Sequence, residues 1–113
     1  MMLTIVLYFH NLGSMKNAEV VGCLTALAQE SRLALLRMLV KRGADGCTPS
    51  QLGERLDIPG PTLSFHLKEL QRAGLIHARR EGRYLYYSPN LPRVNELIGF
   101  LADNCGGMAG RRG

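Results

Sequence analysis

The chain is poorly equipped for covalent cross-linking. Its three cysteines, Cys23, Cys47 and Cys105, are an odd number. No secretory signal precedes them, so a disulfide framework is not expected and a reducing cytoplasm is the natural setting. Long hydrophobic runs are missing too: none approaches the roughly 20 residues that a membrane-spanning helix needs, so no membrane partner is expected. Histidine is sparse and scattered, at His10, His66 and His77. Neither a carboxylate pair nor a Gly-rich phosphate loop is present. An enzyme is therefore not expected, and no cofactor is required.

What is present is one domain's worth of chain. The 113 residues are 46% hydrophobic and 20% charged, the composition of a globular protein. The formal net charge of +5 favours a polyanionic partner, though charge alone is a weak argument. Its placement is more telling. Arg55 to Arg83 holds six Lys or Arg against three Asp or Glu, and Arg79, Arg80 and Arg83 crowd into five positions.

Residues 1–16 read as a disordered extension, or as upstream sequence ahead of a better start at Met15; an added strand is the rival. The folded domain is expected over 17–105, with 106–113 a Gly-rich flexible tail. Within the domain, Val20, Leu24 and Leu27 recur at helical spacing and predict a first amphipathic helix to about Gln29. Ser31 is suited to cap a second helix, which runs to about Arg42 and is apolar on nearly every side, the mark of a buried central element. Thr48, Pro49 and Gln51 make a capping box for a short third helix ending near Leu56. After Asp57-Ile58-Pro59-Gly60, Pro61 at the first helical position opens a fourth helix that stops before Gly74. Two short helices across a tight connection make a helix-turn-helix.

Beyond Gly74 the period changes from helical to alternating. Ile76 to Arg80 and Arg83 to Ser88 flank Glu81-Gly82 and predict a hairpin, the wing. A last helix begins at Pro89-Asn90-Leu91-Pro92, with Val94, Leu97, Ile98 and Leu101 on one face, and ends near Asn104. The fold expected is mainly α with a small β-hairpin, a winged helix-turn-helix in α-α-α-α-β-β-α order.

The fourth helix carries the mechanistic inference. Leu63, Leu67 and Leu70 share one face and must point inward, with His66 toward the same side as a structural hydrogen-bonder. Thr62, Phe65, Lys68, Glu69 and Arg72 then face out, with Ser64 and Gln71 on a flank. Thr62, Ser64 and Gln71 supply donors and acceptors for base edges in a major groove, and Phe65 can press on a thymine methyl. Lys68 and Arg72 suit phosphates. The wing arginines Arg79, Arg80 and Arg83 are placed to reach phosphates or the minor groove. The expected partner is double-stranded DNA.

Leu27-Ala28-Gln29-Glu30-Ser31-Arg32-Leu33, then Thr62-Leu63-Ser64-Phe65-His66-Leu67-Lys68-Glu69-Leu70, Ala73-Gly74-Leu75-Ile76 and Arg80-Glu81-Gly82-Arg83 closely resemble the ArsR/SmtB family. The likeness covers about Glu19 to Asn104. It implies a homodimeric repressor on a palindromic operator, paired through its first and last helices and released by an inducer, often a thiophilic metal or metalloid. Apolar stripes on those two helices fit such pairing.

The inducer is less well marked. The family's thiolate site on the third helix is absent, because that stretch reads Thr48-Pro49-Ser50-Gln51-Leu52-Gly53. Its Asp/His zinc site is missing as well, since the last helix has no His. Some arsenic-responsive members place cysteines at the end of the last helix, where Cys105 stands here. Others place one ahead of the third helix, where Cys47 lies in what reads as an exposed loop. Cys23 and Cys105 continue the stripes of helices expected to meet between subunits. Soft trivalent arsenic or antimony prefers converging thiolates, so arsenite or antimonite is the expected inducer, on Cys105, Cys47 and Cys23. Two alternatives stay open for these residues: thiol oxidation, and cysteines that pack as small hydrophobes. For the domain as a whole, a protein-interaction module remains the rival to DNA binding.

Overall fold

The computed structural model describes residues 15–103. The expectations for residues 1–14, Cys105 and the tail at 106–113 lie outside the described residues. Four helices come first: α1 (Asn17–Leu27), α2 (Glu30–Arg42), α3 (Pro49–Leu56) and α4 (Gly60–Arg72). A hairpin of β1 (Ile76–Glu81) and β2 (Tyr84–Pro89) follows, then α5 (Leu91–Ala102). The order is the expected one, and the fold is a winged helix-turn-helix. Among the described residues, no helix is long and apolar enough to cross a membrane.

Local chemistry explains where these elements begin. The Thr48 hydroxyl accepts from the Gln51 N–H at 3.3 Å, while the Gln51 side chain accepts from the Thr48 N–H at 2.9 Å. This reciprocal pair, with Pro49 behind it, starts α3 where the sequence predicts. At α2 the cap is Gln29, not Ser31: its side-chain carbonyl accepts from the Arg32 N–H at 2.9 Å. Gln29 carries the extended backbone of a cap, with φ −151° and ψ 128°, which leaves Ser31 inside the first turn. In α4 the helix opens at Gly60, one residue earlier than expected.

Packing redistributes the apolar stripes. In α1 the core face is Val20, Cys23 and Ala26, whereas Leu24 and Val21 point outward, Val21 at 60% exposure. On α2, Leu35, Leu36 and Leu39 are buried, but Leu33 and Val40 stay 46% and 40% exposed. The all-round burial expected of α2 is not met in the single subunit, because α1, α3, α4 and β2 pack against only part of it. In α5 the expected face divides: Leu97 and Val94 turn to the core, whereas Ile98 and Leu101 are exposed, as is Phe100. Met15 is also buried, so packing begins ahead of residue 17.

Two glycines let neighbouring chains approach closely. A Cβ at Gly53 would stand 3.1 Å from the Ile58 carbonyl oxygen and 3.3 Å from Leu63, where α3 crosses α4. At Gly46, φ is +79° and a Cβ would meet the Tyr87 carbonyl oxygen at 2.7 Å. That second approach lets Cys47 join the wing: its N–H donates to Tyr87 O at 2.9 Å, and Tyr87 N–H returns the bond at 2.8 Å. The hairpin runs from Ile76 opposite Pro89 to Glu81 opposite Tyr84, so its two-residue loop is Gly82-Arg83. Gly82 has the positive φ that such a loop needs at its first position.

Candidate nucleic-acid interface

Helix α4 presents two chemically distinct sides. Leu63, His66, Leu67 and Leu70 are buried. Thr62, Ser64, Phe65, Lys68, Gln71 and Arg72 are exposed, Phe65 at 54% despite its size. The spacing of the leucines produces this division, since residues three and four apart share one helical face. Glu69, half-buried, pairs with Arg72 at 3.2 Å within one turn. Such a surface pair is weak and screened by salt, so a phosphate can displace the carboxylate.

His66 is held from outside its own helix. Its Nδ1 accepts from the Arg32 Nε–H at 3.1 Å, which leaves the proton of the neutral ring on Nε2. Burial lowers its pKa below the ordinary value, and the positive charge of Arg32 adds to that. The same guanidinium lies over the Phe65 ring, 5.5 Å from its centroid. Phe65 thus has a partner on one side and open solvent on the other. Arg32 is a residue that reasoning on α4 alone could not supply, because it stands 34 positions upstream.

The wing arginines separate. Arg80 and Arg83 are exposed and make no hydrogen bond or ion pair among the described residues. Arg79 is occupied. Its Nε donates to Glu81 at 3.0 Å, and its two terminal nitrogens donate to the carbonyls of Ala44 and Asp45, each at 3.2 Å. Its guanidinium also stacks on Tyr86, 5.0 Å from the ring centroid. As folded, its donors tie the wing to the turn at Gly43–Asp45, whereas the sequence points Arg79 to DNA together with Arg80 and Arg83. Strand alternation is the cause, since consecutive residues of β1 point to opposite sides.

Two of the three cysteines, Cys23 and Cys47, lie among the described residues, both with free thiols. Cys23 is almost fully buried, and its thiol donates to the Ala73 carbonyl at 3.5 Å. It faces the core of its own subunit and not the outer side of α1. Cys47 is 3% exposed, which corrects the expectation of an exposed loop. Its pairing with Tyr87 in both directions brings that loop under the wing. Cys47 is among the residues that line a groove of about 630 Å³ between α2 and α3, with Arg42 and Arg55. Burial raises both thiol pKa values; Arg93 beside Cys23, and Arg42 and Arg55 beside Cys47, only partly offset it. A soft ion binds the thiolate, so occupying either thiol would require its deprotonation in a buried setting. Among the described residues no cluster of three or more His, Cys, Asp or Glu is arranged to hold a metal. Cys23 and Cys47 are thus part of no such cluster among the described residues.

Known proteins share this architecture. Residues 27–79 match a helix-turn-helix domain family. The HTH-type transcriptional regulator YbzH of Bacillus subtilis is 38% identical over 97 residues, covering 75% of this chain and 93% of the relative. An ArsR-like transcriptional regulator from Rhodococcus sp. RHA1 superposes with a TM-score of 0.69 at 27% identity, over 84% of this chain and 86% of that one. A homodimeric winged helix-turn-helix DNA-binding domain from Mycobacterium bovis superposes with a TM-score of 0.61 at 25% identity, over 82% of this chain and 92% of that one. With the α4 face, the wing and these likenesses together, the chain belongs to the ArsR/SmtB family of winged helix-turn-helix transcriptional regulators.

Proposed function

We propose that this protein is a cytoplasmic transcriptional repressor that binds a palindromic DNA operator as a homodimer. The observation that carries the reading is the two-sided chemistry of α4, with its leucines inward and a polar face bearing Phe65 outward. Thr62, Ser64, Phe65 and Gln71 face base edges, and Lys68, Arg72, Arg80 and Arg83 neutralise phosphates. One such helix makes too few base contacts for tight specificity, and two-fold pairing doubles them. The outer faces of α1 and α5 offer Val21, Leu24, Ile98 and Phe100 for that pairing. The Mycobacterium bovis domain, described as homodimeric, supports pairing of two subunits.

Release by a thiol-binding inducer, trivalent arsenic or antimony, completes the reading. Its support is the presence of Cys105 near the end of the last helix and the resemblance to arsenic-responsive members of the family. The buried thiols of Cys23 and Cys47 lend it none.

Duplexes selected by the protein from a random pool, then titrated in a gel-shift assay, test the first part. The expected result is a selected sequence with two-fold symmetry, bound by a dimer, and weaker binding after Phe65→Ala. A protein that selects no duplex is instead an interaction module. For the inducer, arsenite or antimonite added to the complex frees the DNA, and Cys105→Ser abolishes that release. Release that survives Cys105→Ser removes Cys105 from the site, and release by an oxidant alone makes the protein a thiol redox switch.

A further inference from the structure

We propose that Arg32 is a positioning residue for DNA recognition, fixing the rotation of α4 from the junction of α1 and α2. The inference rests on the reading of α4 as the base-contacting helix. Arg32 lies in the first turn of α2, where its own N–H is taken by the Gln29 cap. Its side chain leaves that helix and makes three attachments. Nη1 donates to the carbonyl of Ala26 in the last turn of α1 at 3.3 Å, and Nε donates to His66 Nδ1 at 3.1 Å. The guanidinium plane covers Phe65 at 5.5 Å.

The geometry gives this contact more leverage than an ordinary tie. Phe65 and His66 are consecutive, so their side chains leave α4 about 100° apart around its axis. A helix seated on a stripe of leucines alone can roll by small angles, because apolar contacts are non-directional. Fixing two directions separated by that angle removes the roll. The clamp also acts on the N-terminal half of α4, where base reading is expected and where Pro59 provides no side-chain cap. Only a guanidinium can make both contacts at once, since a lysine ammonium has no plane to lay on a ring while its stem donates sideways. Through Ala26 the same side chain ties α4 to α1, whose outer face carries Val21 and Leu24.

A positioning residue and a direct DNA contact leave different signatures. Arg32→Ala, Arg32→Lys and His66→Leu are each expected to weaken binding to the selected duplex by roughly tenfold, a modest loss on the scale of one base contact. Binding to random DNA and the slope of log affinity against log salt stay unchanged. Because both residues act through one clamp, Arg32→Ala/His66→Leu loses no more than the worse single variant. A slope flattened by about 0.9 would place Arg32 on a phosphate and overturn the proposal. Additive losses would overturn it as well. If Arg32→Ala melts below the assay temperature, Arg32→Lys decides the question. The free protein separates this proposal from the DNA reading on which it rests. Nitrogen chemical shifts of His66 report an Nε2–H tautomer in the wild type and a mixture in the Arg32 variants. A mixed tautomer in the wild type rules the clamp out, whatever the protein does with DNA.

Discussion

Lys68 and Arg72 on α4, and Arg79, Arg80 and Arg83 on the wing, look alike in sequence, yet the fold uses them differently. On α4 the burial of Leu63, Leu67 and Leu70 sends every cation outward, because a helix has one continuous apolar face and one polar face. In the wing the direction reverses with each residue of β1, and the outcome depends on what each side meets. Arg79 meets the carbonyls of Ala44 and Asp45 and the ring of Tyr86. Arg80 meets solvent. A cluster of arginines on a helix face can therefore be read as one surface, whereas the same cluster on a strand must be divided before roles are assigned.

The contrast is broken most forcefully from the inner side of α4. Leu70 is fully buried, and Leu70→Ala is expected to cost about 3 kcal/mol of stability, measured by urea unfolding. Loss of DNA binding in that variant should follow the unfolded fraction. A stability change below about 1 kcal/mol would mean that α4 is not seated on its leucines. Arg79→Ala is expected to cost less, about 1 kcal/mol, since its hydrogen bonds are partly exposed. The loss should fall on the wing and the Gly43–Asp45 turn, visible as faster amide exchange at Gly46 and Cys47. If instead stability is untouched and the salt dependence of DNA binding weakens, Arg79 belongs with Arg80.

How far sequence reasoning reached follows from the range of each interaction. The α3 capping box and the inward leucines of α4 are fixed by neighbours three and four positions apart, and both stand where periodicity and cap chemistry put them. The environment of Cys47 is set by Tyr87 on β2, so a loop that reads as solvated is buried. Arg79 finds its partners 34 and 35 positions upstream. Ser31 reads as the cap of α2, but the chain turns helical two residues earlier, and the Gln29 side chain accepts the Arg32 N–H. Leu33 and Val40 stay exposed in the single subunit, because apolar composition alone does not tell how much of a helix its neighbours in the fold cover.

His66 sharpens the comparison on the α4 side, where a titratable group is buried behind the reading face. Its folded pKa is lowered, first by burial and then by Arg32, from an ordinary value of 6.5. As pH falls below that value the unfolded chain takes up the proton first, so stability present above about pH 6.5 is lost on acidification. The expected observation is a melting temperature that declines from pH 7.5 toward about 5 in the wild type, and less steeply in His66→Leu. Equal slopes would show that the ring is protonated as readily folded as unfolded, which the Arg32 bond to Nδ1 forbids.

The smallest stability effect belongs to the wing tip. Arg80 and Arg83 make no hydrogen bond or ion pair among the described residues, so Arg80→Ala and Arg83→Ala should change stability by no more than about 0.5 kcal/mol. Their effect is expected in the salt dependence instead. Removing one cation from a phosphate lowers the slope of log affinity against log salt by about 0.9, equally on selected and random duplexes. Arg79→Ala should leave that slope alone while lowering the melting temperature. The two wing positions next to each other in sequence then exchange signatures, one thermal and one ionic. If Arg80→Ala weakened binding to the selected duplex alone, Arg80 would be touching a base edge in the minor groove, and the division of the wing into brace and phosphate contact would need a third role.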